Sequence, residues 1–115
     1  MAIASFKQLF VWQKSFALCT NVYELTNRLP KEEQFGLTSQ MRRSSVSIPS
    51  NIAEGQQRNN IKEYRQFIGI AKGSAAELET QLLLAEKIYS LPIEELMDEL
   101  SQIQKMLYAL YTKLN

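Results

Sequence analysis

IKEYRQFIGIAKGSAAELETQLLLAEKIY, residues 61–89, decides the fold. An apolar or small residue recurs in it at Ile61, Tyr64, Ile68, Ala71, Ala75, Leu78, Leu82, Ala85 and Tyr89, with alternating spacings of 3 and 4. That is a heptad seam with no proline inside it, and it predicts one unbroken helix of about 43 Å at a rise of 1.5 Å per residue. A helix this long exceeds the width of a compact domain of 115 residues, so it needs equally long partners.

The partners are legible on either side. Helix 1 is expected over residues 6–28, with one seam through Leu9, Trp12, Phe16, Cys19, Tyr23 and Thr26 and a second through Leu18, Val22, Leu25 and Leu29. Pro30 ends it. Helix 2 is expected over 36–54, with Leu37, Met41, Ser44, Ile48 and Ile52 inward and Gly55 as a left-handed stop. Pro49 sits inside this pattern and removes the backbone donor that would meet the Ser45 carbonyl. The hydroxyls of Ser44, Ser45, Ser47 and Ser50 are on hand to satisfy the freed groups. Asn60 caps helix 3, with Glu63 three residues on. Leu91-Pro92 breaks it. Helix 4 is expected over 92–114 with Pro92 in its first turn and a heptad at Ile93, Leu96, Leu100, Ile103, Leu107, Leu110 and Leu114. No stretch alternates with strand periodicity. Short connections between four helices predict an all-α, antiparallel up-down-up-down four-helix bundle forming one domain over residues 1–115.

The totals narrow the function. Apolar residues make up 45%, which argues against disorder. Net charge is +1, so no global attraction to nucleic acid or membrane follows. The distribution is uneven. Residues 1–75 hold ten Lys/Arg against five Asp/Glu, and residues 76–115 hold three against seven. Such asymmetry fits a basic and an acidic docking face; it fits equally well two segments that each solvate their own helices. Cys19 is the single cysteine, so no intrachain disulfide forms, as suits a cytoplasmic protein. The opening MAIASFKQLFVWQKS lacks a signal-peptide pattern. The longest apolar run, Met106 to Tyr111, is far too short to span a membrane.

Catalytic chemistry finds little to work with. There is no histidine, which removes the commonest general base and metal ligand. One thiol builds no multi-thiolate metal site, and the glycines form no phosphate loop. No catalytic residue, metal or cofactor is expected, and the chain reads as a non-enzyme. The basic positions are more informative. Arg58, Lys62, Arg65 and Lys72 follow the spacing i, i+4, i+7, i+14, and the last three share one helical stripe in which Gly69 leaves space. Arg42 and Arg43 add charge on helix 2. These six are the candidate phosphate contacts for RNA or DNA; a plain solvated face has the same composition. Lys62, Arg65 and Lys72 are expected to be exposed together. One of Arg42 and Arg43 is instead expected to pair with Glu77 or Glu79 across the helices. The acidic start of helix 4, Glu94, Glu95, Asp98 and Glu99, supports a different reading, a structural adaptor that docks a basic protein partner and binds no nucleic acid.

Apolar residues outside the main seam of helix 3, namely Phe67, Ile70, Leu83, Leu84 and Ile88, exceed what one bundle core requires and suggest a subunit interface. The runs QMRRSSVSIPSNIAEG (40–55) and EYRQFIGIAKGSAAELETQLLLA (63–85), with LFVWQKS (9–15) and FGLTSQ (35–40), resemble a bacterial four-helix-bundle family. Its founding members are encoded by intervening sequences within 23S ribosomal RNA genes. It is similar to the accessory proteins of diversity-generating retroelements, basic pentamers that bind reverse transcriptase and nucleic acid. The resemblance implies a ring-like homopentamer and brings no catalytic residues with it.

Overall fold

The computed structural model describes residues 5–115. A 3-10 turn at Phe6–Gln8 precedes α1 (Phe10–Thr26), and a second at Lys31–Glu33 precedes α2 (Leu37–Gln56). α3 (Ile61–Tyr89) and α4 (Glu94–Lys113) follow. Each helix packs on its sequence neighbours, and α4 closes against α1. α1 and α3 are diagonal and do not meet. The side-chain pairs Cys19–Ser45, Ser47–Ser74, Glu79–Gln104 and Lys14–Gln102 set every adjacent pair antiparallel. The result is the up-down-up-down bundle, 46 × 23 × 20 Å in extent.

The α3 seam is the spine of the core. Ile68, Ala71, Ala75, Leu78, Leu82 and Ala85 are fully buried, while Ile61 is exposed at the start of the helix. α2 contributes Leu37, Met41, Ile48 and Ile52, and α4 contributes Leu96, Leu100, Ile103 and Leu107. Burying each such side chain is worth about 1.5–3 kcal/mol.

α1 buries its two seams unequally. Its second seam, Leu18, Val22, Leu25 and Leu29, is the core face, joined by Val11, Ser15 and Thr26. Of the first seam, Phe16 and Tyr23 are exposed. Trp12 stacks on Phe16 with centroids 5.1 Å apart, and Phe6 meets Trp12 edge-on at 5.3 Å. Two hydroxyls are buried with the second seam. Ser15 Oγ donates to the Trp12 carbonyl and Thr26 Oγ1 to the Tyr23 carbonyl, so both can be buried without an unpaired group.

Three backbone details also differ from the sequence reading. At Pro49 the freed Ser45 carbonyl is met by Cys19 Sγ, which donates to it at 3.0 Å, and not by a serine of α2. Burial pushes the Cys19 thiol up, keeping it in the protonated form that donates. Gly55 is not a left-handed stop, since no glycine has positive φ. It is buried inside α2, where a Cβ would lie 2.8 Å from the Phe67 Cβ and 3.2 Å from the Tyr64 carbonyl. Glycine there allows α2 and α3 to approach closely just before the chain reverses. The left-handed residue is Ser90, at φ 57° and ψ 34°, which ends α3. α4 then begins only at Glu94, leaving Pro92 outside its first turn.

Candidate nucleic-acid interface

The α2–α3 connection places the first cations. Asn60 Oδ1 accepts from the Glu63 backbone N–H at 3.0 Å and starts α3, as its capping pattern predicts. Arg58, in the connection, pairs with Glu54 at 3.0 Å and lies 4.0 Å from Glu63; its guanidinium sits 4.9 Å from the Phe67 ring centroid. These groups are exposed, so the ion pair contributes little to stability. Lys62 is exposed and makes no ion pair or hydrogen bond with the other described residues.

Arg65 and Lys72 share the expected stripe but are half-buried rather than free. Their stripe runs beside α4, and their stems and heads are drawn onto Tyr111. The Arg65 guanidinium is 3.8 Å and Lys72 Nζ 4.2 Å from its ring centroid, and Arg65 Nε donates to the Tyr111 carbonyl at 3.1 Å. Both contacts fit cation–π attraction. Neither head meets a carboxylate among the described residues, so neither charge is neutralised by an ion pair.

Arg42 and Arg43 lie elsewhere. Arg43 is 15 residues before Arg58, about 22 Å along α2. Arg42 does not pair with Glu77 or Glu79. Its Nε donates to Thr26 Oγ1 at 2.9 Å and its NH2 to Asn27 Oδ1 at 3.0 Å, with its guanidinium 4.5 Å from the Tyr23 ring centroid. It clamps the end of α1 to α2. Arg43 is exposed without an acidic partner among the described residues. Glu79 accepts from Gln104 Nε2 instead. Of the six candidates, then, Arg58, Lys62, Arg65 and Lys72 follow one another along the first half of α3 and its lead-in, and Arg42 and Arg43 lie in the other half of the bundle.

Antiparallel packing extends this grouping to the whole bundle. One half comprises residues 5–17, 47–74 and 104–115. It carries Lys7, Lys14, Arg58, Lys62, Arg65, Lys72, Lys105 and Lys113 against Glu54 and Glu63. The other half carries five basic residues against ten carboxylates. The bundle is therefore polarised end to end.

The model of the 23S rRNA-intervening sequence protein family matches residues 7–109. The chain belongs to that family. A solved protein of unknown function from the S23 ribosomal protein family of Bacteroides thetaiotaomicron shares the fold, with a TM-score of 0.81. The match covers 88% of this chain and 97% of that one, with 24% of residues identical. No curated protein matches.

In this member of the 23S rRNA-intervening sequence family, the acidic end surrounds an open cleft of about 630 Å³ between α1 and α4. Asn21, Glu24, Arg28, Glu94, Glu95 and Glu99 are among its lining residues. Asn21 Nδ2 donates to both carboxylate oxygens of Glu99, at 2.9 and 3.2 Å. No helix of the described residues is long and apolar enough to cross a membrane. Sequence reasoning missed Tyr108 and Tyr111, which flank the basic stripe from α4. Their i, i+3 spacing between Lys105 and Lys113, in a segment from Leu100 to Asn115 free of carboxylate side chains, was the available signal.

Proposed function

We propose that this chain is a cytoplasmic, non-catalytic bundle that self-associates and binds RNA or DNA through its basic end. The observation that carries the reading is the gathering of Arg58, Lys62, Arg65 and Lys72 with four further lysines on one end, against two carboxylates. Fields of like charges on one surface add and attract a phosphate backbone, even where net charge is near zero. One chain offers few phosphate contacts; an assembly repeats them and gains avidity. One observation supports self-association. Ile70, Leu83, Leu84 and Ile88 on α3 and Phe10, Phe16 and Tyr23 on α1 expose apolar surface. The number five rests on the family resemblance alone.

The test is binding of a labelled RNA by the R58A/K62A/R65A variant across a salt series. Loss of affinity is expected, with the slope of log K against log salt reduced in magnitude by about three. Unchanged binding would remove these residues from the interface. A second reading, a protein adaptor, is favoured by the acidic cleft between α1 and α4, which suits a basic partner. Pull-downs that recover a protein partner and no nucleic acid would select it.

A further inference from the structure

Tyr108 on α4 is 64% exposed, and cations stand beside it. Lys72 Nζ lies 5.5 Å from its ring centroid, and Lys105 stands one helical turn before it on α4. Tyr111, one turn further on, is held in place: Arg65 and Lys72 both close on its ring, and Arg65 bonds its carbonyl. On α3, Gly69 and Gly73 lie one turn apart, stacked on one side of Lys72. A Cβ on Gly69 would come 3.3 Å from Tyr111 Cε1, so Tyr111 packs down against the helix. A Cβ on Gly73 would meet nothing within 4 Å, so the surface there stays open. One ring is thus immobilised by cations, and the other keeps most of its area in water beside them.

Single exposed tyrosines are ordinary surface features. An exposed ring beside lysines, with the carboxylate of that face, Glu79, engaged by Gln104, combines the two elements of single-strand recognition, a planar platform and a cationic track. The geometry points to single-stranded nucleic acid as the ligand of the basic end, with an unpaired base stacked on Tyr108 and the adjoining phosphates against Lys72 and Lys105. This inference rests on the reading of that end as a phosphate-binding surface. A duplex supplies the phosphates, but its bases are stacked on one another and offer no free face to the ring.

The experiment measures fluorescence anisotropy of labelled oligouridylate, oligodeoxythymidylate and an RNA duplex of equal length, using the full chain as wild type, Y108A and Y108F. Single strands should bind more tightly than the duplex. Y108A should lose roughly tenfold or more in affinity for both single strands, within the range of one lost base–aromatic stack, while duplex binding and the salt slope stay as in wild type. Y108F keeps the ring and should retain affinity; because the ring is exposed, circular dichroism of Y108A should match wild type. Equal loss on RNA and DNA assigns the contact to the base rather than the 2′-hydroxyl. Wild-type affinity in Y108A, or a preference for the duplex, overturns the inference. If Y108A is unchanged while R58A/K62A/R65A still weakens binding, the basic-end reading survives and the stacking site falls. If no probe binds wild type, both fall.

Discussion

The two ends of this bundle share a fold and a core but are held together by different chemistry. At the basic end, α2 and α3 close through shape: Gly55 lets the Phe67 Cβ and Tyr64 approach the α2 backbone, and the chain turns over Arg58 and its carboxylates. At the acidic end, the closure is polar. Glu33 accepts from the Leu37 backbone N–H at 2.9 Å and from the Tyr89 hydroxyl, tying the α1–α2 connection, the start of α2 and the end of α3 together. Arg42 adds its bonds to Thr26 and Asn27. The comparison teaches that the basic end leaves Lys62 to solvent and sets Arg65 and Lys72 on Tyr111, whereas at the acidic end Glu33 and Arg42 are consumed in joining helices. Adjacent residues of one helix can differ in the same way, since Arg42 is structural and Arg43 faces solvent.

The difference can be broken first at the tight end. Gly55→Val has no room without moving α3, because the atoms it meets are the Phe67 Cβ and backbone rather than a flexible tip. It should cost about 1–3 kcal/mol or more, as overpacked cores do, read as a lowered urea midpoint. Stability equal to wild type would mean that the helices do not approach as closely as described.

A smaller effect is expected at the polar end, and it depends on pH. The hydrogen bond from Tyr89, then that from the Leu37 N–H, holds the Glu33 carboxyl below its usual range, and the same bond pushes the Tyr89 phenol up. A depressed folded value means stabilisation that is present above the unfolded value of about 4.3 and lost as pH falls through the folded one. Glu33→Gln should therefore lower the melting temperature at neutral pH by a few degrees at most. The gap from wild type should narrow in acid. A gap that is constant with pH would show that Glu33 does not act through its charge.

Much of this architecture was legible before any coordinates, and the exceptions have physical causes. The α3 seam was readable because its period is regular and no breaker interrupts it. α1 was ambiguous because both of its stripes are apolar. Ser15 is polar by letter yet lies on the core face, its hydroxyl bonded to its own helix. Gly55 read as a stop because glycine serves both conformation and close approach, and only the neighbouring helix distinguishes them. In the candidate site, the spacing placed Lys62, Arg65 and Lys72 on one stripe of α3, but not the half-burial of Arg65 and Lys72 against Tyr111. The expected carboxylate partner of Arg42 was wrong because its partners, Thr26 and Asn27, are neutral and lie at the end of α1, where charge complementarity gives no clue. The end-to-end polarity was hidden for a different reason. The linear asymmetry divides the chain near residue 75, whereas antiparallel folding divides every helix in two and sorts its charges by end.

The central claim is that position in the bundle, not net charge, makes the phosphate-binding surface. The most direct test compares two variants that each remove two positive charges, K62A/K72A at the basic end and R28A/R43A at the acidic end, by the salt dependence of oligouridylate binding. The account predicts that the first weakens binding and reduces the magnitude of the log–log slope by about 1.4, at about 0.7 per contact on a single strand, while the second leaves both unchanged. Equal losses in the two variants would contradict it, since binding would then follow total charge and the basic end would hold no site.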